Sequence, residues 1–289
     1  FTLDDDTDNT VATNNSGQRY VAWNWKFNGG TTATNGNGSI TSTVQANTDA
    51  GQSIVLWSGN ETNSATVGHG LNSAPEVIIT KCRSHAASFV FGIGGMSDFS
   101  TNDYLSLNST NTKSSSTTFY QSYTSDSNKT FTVGVSSADE MNRNTGGSPR
   151  SYVSYCFHSV DGYSKFGTYT GNANNDGPMV FCGFQPAWIM IKNTSATLNW
   201  PILDDTRGGV GTIYKPNPVI SQLVANTNAK EFDSRSYPII DLLSNGFKVR
   251  NGDGSTVAQN VNGNTAGNVF FYMAFAKHPY KFARAFAHD

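Results

Sequence analysis

One internal repeat limits what this chain can fold into more than any other feature. Ser58-Gly59-Asn60, Val67-Gly68-His69-Gly70-Leu71 and Ala74-Pro75-Glu76-Val77-Ile78-Ile79-Thr80-Lys81 return as Thr170-Gly171-Asn172, Val180-Phe181-Cys182-Gly183-Phe184 and Pro186-Ala187-Trp188-Ile189-Met190-Ile191-Lys192. The glycines at 59 and 171 lie 112 positions apart; the prolines at 75 and 186, like the lysines at 81 and 192, lie 111 apart. A spacing that barely drifts marks one unit written twice. The closing segments repeat as well: Tyr152-Val153-Ser154-Tyr155-Cys156-Phe157 matches Phe270-Phe271-Tyr272-Met273-Ala274-Phe275-Ala276. Tyr20-Val21-Ala22-Trp23-Asn24-Trp25 matches them too, so the first alternating run reads as the last strand of an earlier unit, with a parent protein extending N-terminally.

The spacing of breakers sets the fold class. Runs of 4–8 apolar and β-branched residues alternate with clusters of Gly, Asn, Ser and Thr, which favour turns and compete with the helical backbone. Aromatic residues make up 12% of the 289 positions, enough to fill the space between sheets. The expectation is an all-β chain: a tandem-duplicated antiparallel β-sandwich of lectin-like, jelly-roll type with closely packed halves. Residues 1–50 read as an acidic tail, one strand (Tyr20–Lys26) and a Gly/Asn-rich stretch that suits a linker or a pair of short hairpins equally well. Residues 51–165 form the first unit and 166–289 the second. Asn217–Ala225, with Ile220, Leu223 and Val224, has the spacing of a short helix. No flexible linker separates the units at Asp161-Gly162-Tyr163-Ser164-Lys165-Phe166, so they must pack together, as two sandwiches or one merged fold.

Charge excludes some partners. Only 14% of residues are charged and the formal net charge is −2, which leaves no electrostatic footprint for nucleic acid or an anionic membrane. No apolar run is long enough for a spanning helix. Cys82, Cys156 and Cys182 sit in strand-like contexts and read as buried reduced thiols.

Tyr20-Val21-Ala22-Trp23-Asn24-Trp25-Lys26, Asn47-Thr48-Asp49-Ala50-Gly51, Val67-Gly68-His69-Gly70-Leu71, Asp161-Gly162-Tyr163-Ser164-Lys165-Phe166-Gly167, Leu243-Ser244-Asn245-Gly246-Phe247-Lys248 and Tyr272-Met273-Ala274-Phe275-Ala276 occur in a telling order. In these motifs the chain resembles a domain family common in tail-fibre and other virion structural proteins of marine bacteriophages, especially those of cyanobacteria. The resemblance spans Arg19 to about Lys281. It implies a lectin-like β-sandwich displayed on a virion among other virion proteins, and it supplies no catalytic motif. Such appendages are symmetric oligomers, so the resemblance leads to a homotrimer. The implied work is attachment to a cell-surface glycan; a purely architectural or decoration subunit is the alternative, and a polysaccharide depolymerase a third.

Side-chain chemistry sets further limits. A glycosidase needs two carboxylates facing one cleft. Asp204 and Asp205, the best acidic cluster, are adjacent on a strand and point to opposite faces. The five histidines lack metal-site spacing, and the stretch that holds His69 in the first unit reads Cys182-Gly183-Phe184-Gln185 in the second, where a Phe is accepted. No catalytic residue, metal or cofactor is expected. Trp200, Asp204 and Arg207 are the candidate ligand-binding residues: an indole can stack on a pyranose face while the charged pair reads hydroxyls. Trp57 and Trp188 are further candidates, of which Trp188, alternating with Met190 in an apolar strand, reads as core. Loops 96–102, 138–148 and 208–217 are the regions expected to carry binding.

Overall fold

The computed structural model describes residues 20–27, 30–207, 217–233, 238–250, 256–263 and 265–278. In chain order its first half contains β1 (Ala33–Asn35), β2 (Ser42–Asn47), β3 (Gln52–Ser58), β4 (Ala65–Gly68), β5 (Val77–Cys82), β6 (Phe89–Ile93), β7 (Asp103–Ser106), β8 (Ser114–Ser115) and β9 (Tyr120–Thr124). One turn of helix, α1 (Ser125–Asn128), precedes β10 (Thr130–Val133), β11 (Asn144–Thr145), β12 (Ser148–Pro149) and β13 (Ser151–Phe157). The second half contains β14 (Ser164–Thr170), β15 (Met179–Phe181), β16 (Pro186–Asn193), β17 (Pro201–Asp204), β18 (Ser221–Val224), β19 (Phe232–Asp233), β20 (Ile240–Leu243) and β21 (Gly246–Val249). It closes with α2 (Thr256–Asn262) and β22 (Val269–Ala276). The chain is all-β, and every strand ladder is antiparallel.

The two halves share one strand order. The large sheet of the first half runs β1-β2-β3-β13-β5-β6-β7-β8, and that of the second β14-β22-β16-β17-β18-β19. The small sheets are β4-β10-β9 and β15-β21-β20. From β3 and β14 onward the orders coincide strand for strand; among the described residues β1 and β2 are an addition that only the first half carries.

Hydrogen bonds repeat along with topology. Asn142 Oδ1 accepts the Asn60 N–H at 2.8 Å and its Nδ2 donates to Thr62 O at 2.8 Å. Asn262 does the same for Asn172 and Asn174, at 3.1 and 2.7 Å. The glycine landmarks have a common cause: a Cβ at Gly59 would lie 2.3 Å from Arg143 O, and one at Gly171 2.4 Å from Asn262 O, so only glycine fits. Cross-strand ring pairs repeat too, Trp57 stacked on Tyr152 at 4.4 Å and Tyr169 on Phe270 at 4.9 Å.

Alternation of side chains then builds four layers. Ile78, Thr80 and Cys82 of β5 face the small sheet of their own half, where Trp57, Val67, Tyr120, Phe131 and Tyr152 complete a core. Ile189 and Ile191 of β16 do the same in the second half, against Phe247, Val249 and Phe270. The opposite faces of the two large sheets meet in a third core: Val77, Phe91, Ile93, Leu105 and Phe157 against Phe166, Met190, Trp200, Ile202, Phe271, Met273 and Phe275. Phe157 and Phe275 close β13 and β22 and meet at 6.3 Å, so equivalent positions touch each other as in an isologous dimer interface. The order is small sheet, large sheet, large sheet, small sheet.

Two expectations change, and one open alternative is resolved as hairpin. Tyr20–Phe27 alternates as a strand would, with Trp23, Trp25 and Phe27 half-buried, but joins no ladder; Trp25 lies against Trp188 and Phe275 at 5.2 and 5.4 Å. Residues 33–47, read as linker or hairpins, are the β1–β2 hairpin of the first sheet. Within 217–225 there is a strand, β18, and no helix: Ile202 pairs with Leu223 and Pro201 with Val224, so sheet pairing overrides a helix-like spacing. The three cysteines are free and buried, and burial raises the Cys156 thiol far above its ordinary range.

Candidate functional site

Trp200 carries no ligand face. It is 0% exposed, tilted against Phe91 at 5.0 Å, and its indole N–H donates to Ser109 O of the first half at 3.0 Å. Lys192, fully buried beside it, donates to Thr110 O at 2.9 Å and Leu198 O at 2.6 Å; burial lowers its ammonium to about 8. Trp200 is therefore a bolt between halves, which corrects the stacking role expected of it. Its sequence neighbours Asn199 and Pro201, both typical of turns, disguise a core position.

Asp204 and Arg207 are brought together, and both are used internally. Arg207 Nε donates to Asp204 Oδ2 at 2.6 Å, while its other nitrogens reach Glu231 at 2.6 Å and Ile202 O at 2.9 Å. Asp204 Oδ1 accepts the N–H groups of Thr206 and Arg207 at 3.1 and 2.9 Å. Burial pushes the Asp204 carboxyl up, but the Arg207 N–H, the Arg207 guanidinium and the Thr206 N–H outweigh it and hold the pKa below the usual value. The Trp23 indole N–H reaches Asp204 Oδ2 at 3.2 Å, with the Arg207 guanidinium 5.6 Å from its ring. The pair pins the turn after β17 and clamps the N-terminal segment. Asp205 is engaged separately by Lys277 at 3.1 Å. Trp57 is buried and bonded to Ser154 Oγ at 3.0 Å.

His69 is likewise internal. Gly70 and Gly183 both have positive φ and fix the register, so the counterpart of His69 is Cys182, and Phe184 matches Leu71. Its Nδ1 accepts the Leu71 N–H at 3.1 Å; burial, opposed by a bond to the Asn128 backbone and aided by nearby His158, lowers its pKa to about 4. Among the described residues no group of three or more His, Cys, Asp or Glu side chains is placed to hold a metal ion, and no helix is long and apolar enough to cross a membrane.

An open depression lies elsewhere in the second half. Asn199, Gln222, Val224, Ala229, Lys230, Phe232 and Asn260 line a depression of about 190 Å³, well under the ~300–1,000 Å³ of pockets for drug-sized ligands. It sits between β18, β19, α2 and the entry to β17. Amides dominate the polar lining. Asn260 Oδ1 accepts the Asn199 N–H at 3.1 Å, and Asn226 Nδ2 donates to Asn199 Oδ1 at 2.9 Å, which fixes one wall. Gln222 is buried, and its Oε1 has no hydrogen-bond donor. Phe232, 44% exposed, is the aromatic element, and Lys230 the single charge.

This depression belongs to one half only. Leu223 pairs with Ile202 as Leu105 pairs with Phe91, so Gln222 stands where the first half has Tyr104, and Phe232 where it has Ser114. Tyr104 there packs edge-on against Phe119 at 4.4 Å and fills the space. Lining residues scattered over positions 199–260 leave no local motif, and only this comparison of halves exposes them. Loops 96–102 and 138–148 hold ion pairs and turns, such as Arg150 with Asp139 at 2.9 Å. Of loop 208–217, only Asn217 falls within the described residues.

The chain belongs to the family described as "Domain of unknown function (DUF7483)", whose model matches residues 1–279. No curated protein and no solved structure matches it.

Proposed function

We propose that this member of the DUF7483 family is a bacteriophage virion structural protein, a module of a tail fibre, spike or head fibre, that attaches to host-surface glycans without chemistry of its own. The phage assignment rests on the resemblance of its ordered motifs. The observation that carries the attachment reading is the amide-lined depression around Gln222. Planar amides pair with the vicinal hydroxyls of a sugar, an exposed ring such as Phe232 offers its apolar face, and a buried acceptor without a donor is a cost that a ligand hydroxyl would relieve. The same frame in the first half spends that space on an aromatic pair. Asp204 and Asp205, the acids a depolymerase would draw on, are taken up by Arg207 and Lys277.

A site this small binds weakly. A homotrimer on a fibre presents several copies, and multivalency raises avidity without new contacts. Immobilised protein on an array of bacterial surface glycans tests the reading: binding by the wild type that is lost in Gln222→Ala, with the melting curve unchanged, supports it. Silence across the array favours an architectural or decoration subunit, and release of oligosaccharides from host polymer favours a depolymerase. Light scattering that shows only monomer rejects the trimer.

A further inference from the structure

The small sheets end differently in the two halves. In the first, the outer edge of β4 is covered by the connection between β1 and β2. Ile40 N–H donates to Thr66 O at 2.9 Å and Ile40 bridges Val67 in parallel, while Ser39 exchanges two bonds of 2.8 and 2.9 Å with Thr66. Gly68 is glycine because the Asn35 carboxamide fills its Cβ space, with Oδ1 2.2 Å from where a Cβ would sit. In the second half β15 takes the place of β4: Met179, Val180 and Phe181 pair with Lys248, Phe247 and Gly246 as Thr66, Val67 and Gly68 pair with Thr132, Phe131 and Thr130. Among the described residues the second half has no counterpart of β1 and β2, and its sheet order ends at β15.

The free edge is chemically complete. Val249 N–H donates to Pro178 O and Cys182 N–H to Asn245 O, both at 2.9 Å. By the alternation of an antiparallel ladder, residues 178, 180 and 182 bond inward, so the N–H and C=O groups of Met179 and Phe181 point out. The side chains agree: Met179 is 45% and Phe181 65% exposed, where the first half has Thr66 under Ser39 and Gly68 under Asn35. No charge on β15 guards this edge, the usual defence of an exposed strand. Lys248, across from Met179 on β21, pairs with Asp176 at 2.7 Å.

We infer that the outer edge of β15 is a strand-acceptor site for an extended, uncharged, Ser/Thr-rich segment of another polypeptide with an apolar β-branched residue at the position of Ile40, running parallel to β15 as Gly38–Ile40 runs along β4. Met179 and Phe181 grip the added segment, and their outward amides supply its main-chain bonds. The chain's own covering segment sets the chemistry of the occupant. A second copy of the chain is the weaker fit: two three-residue strands with one Phe and one Met each bury a few hundred Å², short of the ~1,000 Å² a specific dimer needs.

The test is a titration of the intact protein with a synthetic peptide of residues 37–44, Asn37-Gly38-Ser39-Ile40-Thr41-Ser42-Thr43-Val44, followed by amide and methyl NMR. The expected result is saturable shifts confined to residues 178–182 and their β21 neighbours. Met179→Pro removes an outward donor without touching the ladder to β21, and Phe181→Ser removes the apolar grip; each should abolish at least nine-tenths of the shift at equal peptide. No saturable shift at β15 at millimolar peptide, or shifts unchanged in both variants, overturns the inference. Shifts at β15 that depend on protein concentration without peptide, and vanish in Phe181→Ser, assign the edge to a second copy and overturn it as well.

Discussion

Replacing Phe271 with alanine strikes the layer that joins the halves. Phe271 is fully buried on the face of β22 opposite Phe270, edge-on to Phe91 at 5.4 Å and to Phe99 at 6.4 Å, both from the first half. Removing a buried phenyl ring costs about 3–5 kcal/mol when the site cannot collapse. Here β22 is bonded on both sides, to β14 and β16, which holds the backbone in place. At about 2 °C per kcal/mol for a chain of this size, the melting temperature should fall by roughly 6–10 °C. The assay is urea and thermal unfolding followed at once by tryptophan fluorescence and far-UV circular dichroism. Because the ring bridges halves, both probes should shift together and remain coincident. A double-mutant cycle with Phe91→Ala should return a coupling of about 0.5–1.5 kcal/mol, the worth of an edge-to-face pair. A loss below ~1 kcal/mol, or zero coupling, would refute the shared aromatic layer.

Two further outcomes follow from single residues. His69 is neutral in the fold with a pKa lowered to about 4, so the unfolded chain binds more protons between that value and about 6.5. Stability is then complete above pH ~6.5 and declines by about 3 kcal/mol as pH falls toward 4; His69→Leu should flatten that part of the urea-midpoint profile, and an unchanged slope contradicts the assignment. Gly171→Ala drives a Cβ to within 2.4 Å of Asn262 O and should cost about 1–3 kcal/mol, with Gly59→Ala alike because a Cβ there would lie 2.3 Å from Arg143 O; a neutral effect at either glycine contradicts the close approach.

Much of the frame was legible because strand chemistry is local. Ile240–Leu243 falls where alternation puts it, and the Gly, Pro and Lys landmarks sit at matching points of matching sheets. Legibility fails where pairing partners decide. Ile220, Leu223 and Val224 have helical spacing, yet β17 offers an edge and takes Leu223 and Val224 as a strand. Thr256–Asn262, rich in Asn and Gln and only seven residues long, gives no amphipathic signal and is helical. At the site, Trp200 between Asn199 and Pro201 looks exposed, and its burial depends on Phe91, more than a hundred residues away. Asp204 and Arg207 were brought together as the sequence suggested, as an internal clamp with no ligand face. The depression at Gln222 is legible only by difference, as the place where the second half lacks a contact like Tyr104–Phe119 of the first.

Separating the halves is the most direct trial. Residues 30–162 and 163–278 produced as two chains each expose a face of the third core, Phe91, Ile93 and Leu105 on one and Met190, Phe271, Met273 and Phe275 on the other. Light scattering on the purified pieces, alone and mixed, should find neither as a stable monomer and a 1:1 complex on mixing. Two well-folded monomers that ignore each other would contradict the back-to-back, four-layer arrangement.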